Sequence, residues 1–298
     1  MTISTNTTPD LSVLKRPSGG FAMLAVDQRE ALRNMLSHAR GGAVITDQDM
    51  VDFKLAAAKA LTPYASAVLI DHQFALDEAI RQHVVASSCA LIASGDLFIP
   101  AHEELVGEVD IDPDITPEQA KSLGAVAQKL LVIWRTDQPA QGRIDLVKRF
   151  VAGCHEAGVL AIIEPVCKKP VDPAVEWTWE DDVLTAAREL GNLGADLYKG
   201  EVPLHGKGDA EAITTICADM NDAIDSEWVV LSSGVAEEDF PRAVRLAMSA
   251  GASGFLAGRA VWASCLDATD VEESLRTDAV RRLQDYAAIV DEGMRSRS

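Results

Sequence analysis

The sequence predicts an α/β protein, a closed (β/α)8 barrel, from three observations. Short, continuously apolar runs recur about eight times along the chain. Amphipathic segments of helical length separate them, several ending in glycine as helices commonly do. No G-x-G-x-x-G opens a helix after an early run, which argues against an open dinucleotide-binding sheet. Strands covered on both faces read as unbroken apolar runs, the pattern of a parallel sheet. Eight such units in 298 residues fit a closed barrel.

The strands are expected at 21–27 (FAMLAVD), 66–71 (SAVLID), 90–94 (ALIAS) and 129–134 (KLLVIW). The series continues at 159–166 (VLAIIEPV), 195–202 (ADLYKGEV), 228–233 (WVVLSS) and 254–258 (GFLAG). Helices are read in DQREALRNMLSHA, QGRIDLVKRFVAGCHEAG, WEDDVLTAARELGNLG and EEDFPRAVRLAMSAG. The third unit departs from the rule: LFIPAHEELVGEVDIDPDITPEQ is long and reads as an extra loop or small hairpin. No linker or composition break appears, so one domain over 1–298 is expected, behind a loose polar tail of about ten residues.

Composition narrows the partners. Forty-six Asp and Glu against 27 Lys and Arg give a formal charge of −19, spread along the chain, which argues against nucleic acid or an anionic membrane. No window of 18 apolar residues and no secretory leader pattern occur, and a reducing cytoplasm is expected. Five scattered cysteines without C-x-x-C spacing favour neither disulfides nor structural zinc. Six dispersed histidines, without H-x-H or H-x-x-x-H, point to no metal, and no cofactor is expected.

In such a barrel the reacting groups stand at the C-terminal ends of the strands. Those ends carry Asp27, Asp71, Glu164, Lys199, Ser232-Ser233-Gly234 and Gly258-Arg259, while the 129–134 run begins at Lys129 and is followed by Arg135. Period-2 alternation puts Ala25 on the face of Asp27, Ile162 on that of Glu164 and Leu197 on that of Lys199. One inward face would gather all three charges in a single mouth. Plainer roles compete. Asp27 precedes QREALRNML and is equally an N-cap. Glu164, before a proline, reads also as a solvated loop residue. Lys129 taken alone fits a helix end with its ammonium in water. Asp71 fits a structural or substrate-orienting role better than a catalytic one. The glycine-rich LSSGV and GFLAGRAVW are more specific. Glycines let backbone N–H groups converge on an anion, and Arg259 adds a guanidinium, so Ser232, Ser233, Gly234, Gly258 and Arg259 are read as a phosphate site.

Lys199 closes a short apolar run and is followed at once by Gly-Glu-Val-Pro, no place for a solvated helix lysine. Lysines held in an apolar mouth lose solvation, which favours the neutral, nucleophilic amine. With a carbonyl substrate such an amine forms a Schiff base, and Asp27 or Glu164 would move the protons that this chemistry needs.

The blocks SGGFAMLAVDQRE (18–30), LTPYASAVLID (61–71), IIEPV (162–166), GADLYK (194–199), LSSGV (231–235), FPRAVRLAM (240–248) and AGASGFLAGRAVW (250–262) resemble class I sulfofructosephosphate aldolases and, more distantly, tagatose-bisphosphate aldolases. The likeness runs from about Ser18 to about Glu292. It implies a barrel aldolase with Lys199 as the Schiff-base lysine, Asp27, Lys129 and Glu164 around it, and a dihydroxyacetone phosphate unit held by LSSGV and Arg259. It also implies a homo-oligomer, dimer or tetramer. The chain departs from that pattern at Gly200, Val202 and His205 and in the distinct loop 167–180.

The implied reaction is retro-aldol cleavage of a phosphorylated ketose, 6-deoxy-6-sulfofructose 1-phosphate, in sulfoquinovose catabolism. The in-class alternative is tagatose or fructose 1,6-bisphosphate. Gln28, Arg29, Asp71, His72 and Gln73 are the candidates for the far head group; apart from Asp71, a substrate-orienting acceptor, they offer many donors and little fixed charge, which suits a monoanionic sulfonate better than a phosphate carrying close to two charges. The rivals are a phosphosugar isomerase with Glu164 as base and a phosphate-ligand sensor. Neither needs the Lys199 amine.

Overall fold

The computed structural model describes residues 9–297, so most of the expected N-terminal tail, residues 1–8, lies outside the described residues. Ten strands form among the described residues: β1 (Phe21–Ala25), β2 (Ala67–Ile70), β3 (Ala90–Ser94), β4 (Asp96–Ala101), β5 (Glu104–Ile111), β6 (Ala127–Trp134), β7 (Leu160–Cys167), β8 (Leu197–Gly200), β9 (Glu227–Val230) and β10 (Gly254–Ala257). Eight of them close a parallel barrel in the ring order β1-β10-β9-β8-β7-β6-β3-β2. This is the TIM-barrel architecture that the apolar runs predict.

Several helices between the strands start at a side-chain cap, with Thr46, Thr116, Thr178 and Asp209 in that role. Helix α1 spans Glu30–Ala39 and α2 Asp47–Leu61, the latter started by a capping box between Thr46 and Asp49. After α3 (Leu76–Arg81) and the short α4 (Pro117–Ser122) come α5 (Ala140–Ala157) and α6 (Trp179–Leu190). Gly158, at φ 74°, ends α5 in the left-handed conformation that glycine adopts without penalty. The C-terminal third supplies α7 (Ala210–Ala223), α8 (Phe240–Ser249), the single turn α9 (Arg259–Trp262) and, after further short turns, α10 (Val271–Ser274) and α11 (Val280–Arg295).

The long third unit is a hairpin. Strands β4 and β5 pair antiparallel with an irregularity at Ile99/Ala101, and His102 and Glu103 turn the chain at positive φ. A Cβ on Gly107 would run into the Ala101 backbone, so this pairing needs a glycine there. No helix replaces the hairpin directly after β3. It rises from the mouth between β3 and β6 in the chain.

Inside the ring, Phe21, Met23, Ala25, Ala67, Leu69, Ile92, Ala127, Leu160, Ile162, Leu197, Val229 and Leu256 form one apolar cluster, joined by Leu14. Asp10 caps the turn Leu11–Leu14 and so sets Leu14 in place. A second, larger cluster fills the layer between the strands and the helices.

Candidate active site

The inward rows of the strands change from apolar to charged at one level. Ala25 is followed two residues on by Asp27, Ala127 by Lys129, Ile162 by Glu164 and Leu197 by Lys199. All four charged groups are buried. Strand register explains the meeting: Lys129 aligns with Ile162 across β6–β7, and Ile162 aligns with Leu197 across β7–β8. One inward step further on β7 and β8 stand Glu164 and Lys199, within reach of the long Lys129 side chain from the level below.

Their contacts form a continuous chain. Lys199 Nζ lies 2.7 Å from Glu164 Oε1. Glu164 Oε2 lies 3.1 Å from Lys129 Nζ, which also contacts Asp27 at 2.8 Å and Asp96 at 2.6 Å. Lys129 is fully buried and surrounded by three carboxylates. Burial alone would lower its pKa, but the carboxylates of Asp27, Asp96 and Glu164 outweigh it and hold the ammonium well above its ordinary value. Asp27 is the mirror case. Burial would raise it, yet the ammoniums of Lys129 and Lys199 win and keep it below the usual carboxylate range. Asp27 does not cap α1, whose N-cap is Arg29.

Asp96, at the base of the hairpin, is absent from the sequence-based candidates. It accepts from Arg29 Nη2 at 2.9 Å, from Ser94 Oγ at 2.7 Å and from the Leu131 N–H at 3.0 Å. Arg29 thus faces inward, over the Phe98 ring at 4.1 Å, with its charge met by Asp96. Glu201 was also missed. Two residues past Lys199, it accepts from the Cys167 N–H at 2.8 Å, and burial pushes its carboxyl up to about 8 against that bond. The period of two was the available signal for Glu201. For Asp96 there was none, because the hairpin hides it.

A cavity of about 350 Å³ opens above this cluster. Asp27 and Glu164 form part of its floor, Ser233 and Arg259 one wall, and the hairpin residues Phe98, Pro100, Leu105 and Val106 another. Arg259 Nη2 donates to Ser233 Oγ at 2.6 Å, so the two expected phosphate loops meet. Gly234 sits at φ 74°, and a Cβ there would come within 2.5 Å of the His205 ring. Gly258 packs against the Ala25 carbonyl, and its Cβ would lie 2.9 Å from Gln28 Nε2.

The head-group expectation needs correction. Asp71 and His72 do not line the cavity. Asp71 is fully buried in an ion pair with Lys54 of α2 and accepts from the Phe74 N–H at 2.9 Å. Gln28, Arg29 and Gln73 do line the cavity, but closure of the ring makes β1 the neighbour of β10. Gln28 therefore sits against the Gly258 turn, at the same end as Arg259 rather than across from it. Among the described residues no group of three or more His, Cys, Asp or Glu could hold a metal ion.

A model of the DeoC/LacD family aldolases matches residues 21–264, every strand of the barrel. The chain belongs to the DeoC/LacD aldolase family. It is 26% identical over 319 residues to a tagatose 1,6-diphosphate aldolase of Listeria monocytogenes, covering 95% of this chain and 91% of that protein. An Enterococcus faecalis tagatose 1,6-diphosphate aldolase is 26% identical over 271 residues, covering 82% and 80%. Two solved structures share the fold. A Schiff-base-forming fructose-1,6-bisphosphate aldolase matches with TM-score 0.62 at 18% identity, over 94% of this chain and 97% of that one. Fructose-bisphosphate aldolase of Plasmodium falciparum matches with TM-score 0.67 at 14% identity, over 97% and 98%. This DeoC/LacD protein is an enzyme, a lyase of the class I aldolase type. None of its helices, among the described residues, is long and apolar enough to cross a membrane.

Proposed function

We propose that the enzyme cleaves a ketose 1-phosphate by a Schiff-base mechanism on Lys199, releasing dihydroxyacetone phosphate and an aldehyde. The observation that carries this reading is the Lys199–Glu164–Lys129 chain of contacts, which meets the cavity floor through Glu164 and lies just beneath it. Arg259 and Ser233 hold the 1-phosphate, with backbone N–H groups of the 232–234 turn, and so set the C2 carbonyl over Lys199.

The Lys199 amine attacks C2 and Glu164, 2.7 Å away, takes its proton. The C2 alkoxide takes one proton from solvent to become the carbinolamine hydroxyl, and Glu164 then returns the amine proton to that hydroxyl, which leaves as water and gives the iminium. Glu164, a carboxylate again, then takes the C4 hydroxyl proton as the C3–C4 bond breaks. The electron pair moves into the iminium, leaving an enamine and a free aldehyde. Protonation at C3 and hydrolysis release dihydroxyacetone phosphate and restore the amine. Glu164 suits the proton transfers better than Asp27, because a carboxylate held so far below its usual range is a weak base. Asp27 and Asp96 instead keep Lys129 charged and fixed beside Glu164.

The finer reading is 6-deoxy-6-sulfofructose 1-phosphate, cleaved to 3-sulfolactaldehyde. It rests on the family likeness in the quoted blocks and on charge: Arg29, the buried guanidinium that reaches across the mouth, is already neutralised by Asp96. That leaves little surplus charge for a dianion. Tagatose or fructose 1,6-bisphosphate is the second reading, favoured by the tagatose 1,6-diphosphate aldolases among the relatives.

Borohydride added with dihydroxyacetone phosphate is expected to inactivate the enzyme and leave the reduced adduct on Lys199, read by peptide mass mapping. A label on another lysine, or none, overturns the mechanism.

A further inference from the structure

The cavity has a wall that the roles above do not use. The inward row of β7 runs Leu160, Ile162, Glu164, Val166, and the next residue in step is Lys168, just past the strand end. Glu164, Val166 and Lys168 all line the cavity. Lys168 is a quarter exposed, and its ammonium is held at the hairpin tip by Glu104 and by the Val106 carbonyl at 2.8 Å. The other oxygen of Glu104 takes Arg135 Nη2 at 2.8 Å. Arg135 is buried, also donates to the Lys169 carbonyl, and its Nε has no partner.

Two cations therefore share one carboxylate, which leaves a single surplus positive charge against the cavity. Its position matters as much as its sign. In the ring order, β3 and β6 lie diametrically across from β9 and β10, with β7 beside them. The hairpin rises between β3 and β6, Arg135 follows β6, and Lys168 follows β7. The surplus charge thus stands across the mouth from Arg259, Arg135 following the strand opposite β10 and Lys168 the strand beside it.

The geometry points to Lys168 as the residue that reads the anionic far end of the ketose, exchanging part of its contact with Glu104 for the ligand and so tying the hairpin over the bound substrate. This rests on the ketose 1-phosphate reading and names its specificity residue. One surplus charge matches a monoanion. Arg135, anchored by Glu104 and the Lys169 carbonyl, is a positioning residue that keeps Glu104 at the tip.

The test compares three ketoses on the native enzyme, Lys168→Met and Lys168→Arg. They are 6-deoxy-6-sulfofructose 1-phosphate, fructose 1,6-bisphosphate and fructose 1-phosphate, whose C6 hydroxyl is uncharged. Lys168→Met is expected to cut the ratio of kcat/KM for the charged-end ketoses over fructose 1-phosphate by more than tenfold, mostly through KM, and Lys168→Arg to restore much of it. Equal losses on all three substrates, or none, would overturn the assignment while leaving the Lys199 chemistry intact. Failure of the native enzyme to cleave any of the three overturns both readings.

Discussion

The lower and upper halves of the barrel interior are built on the same strands and the same inward rows, yet they are chemical opposites. Below lie Ala25, Ala127, Ile162 and Leu197, and two residues higher stand Asp27, Lys129, Glu164 and Lys199. The lower layer excludes water by packing. The upper layer is then desolvated from beneath, and its charges must satisfy one another. They do so by alternation: Lys199 meets Glu164, Glu164 meets Lys129, and Lys129 meets Asp27 and Asp96. The difference shows how one scaffold separates stability from reactivity. Non-directional packing holds the strands, and the ion network needs only to hold geometry.

Three changes would break or sharpen that contrast. The largest effect is expected from Lys129→Met. It leaves Asp27, Asp96 and Glu164 facing one another without a cation, and removing one partner from a buried pair typically costs about 3–5 kcal/mol. Urea unfolding should show a loss of that order, and cleavage should fall with it. Unchanged stability would mean that the upper layer is more hydrated than its burial implies. Next comes Ile162→Ala in the lower layer. A buried large-to-small change of this kind costs about 2–5 kcal/mol. The expected signature is lower stability with kcat held within a few fold at temperatures where the variant is folded. A collapse of kcat in fully folded protein would show that the lower layer also sets the geometry above it.

The smallest and most specific change is Glu201→Gln. Burial raises the Glu201 carboxyl from 4.5 to about 8 in the folded chain. Between those values the folded state keeps a proton that the unfolded state has released. Stability from this group is therefore present below its unfolded pKa and lost as pH rises toward its folded one, at up to about 1.4 kcal/mol per pH unit. Lys129 and Asp27 do not compete in this window. The stability from Asp27 is lost only well below pH 4 and that from Lys129 only well above pH 10, because their folded values are displaced away from neutrality. Denaturant titrations at pH 5 and pH 8 should show a decline in the native enzyme that Glu201→Gln reduces. Parallel declines in both proteins would remove Glu201 as the cause.

Much of the site was legible in the sequence because period-2 alternation is a local property. Once 159–166 and 195–202 are read as strands, Glu164 and Lys199 fall on the face of Ile162 and Leu197 with no further information. Continuing the same count would have reached Lys168 and Glu201. Lys129 was harder. Its strand begins at Ala127, earlier than the apolar run suggests, because Gln128 on the outward face donates to the Ile115 carbonyl and so is satisfied where it is buried. Asp96 was invisible, since nothing within the stretch 97–119 says that its base folds back beneath the mouth.

The sequence by itself determined the strand series, the charged tips of the inward rows and the two glycine-rich turns, because each depends on neighbours a few positions away. Only the tertiary structure decided which tips meet. Ring closure makes β1 the neighbour of β10, which moves Gln28 to the end of the cavity that holds Arg259. The same closure sets the hairpin, Arg135 and Lys168 on the opposite side. Asp71, at a strand tip like the others, is withdrawn from the cavity by an ammonium from α2, some 17 residues before it in the chain. Strand order around a ring and the partner of a buried charge are long-range facts. They arise from packing and electrostatics between segments that no local pattern connects.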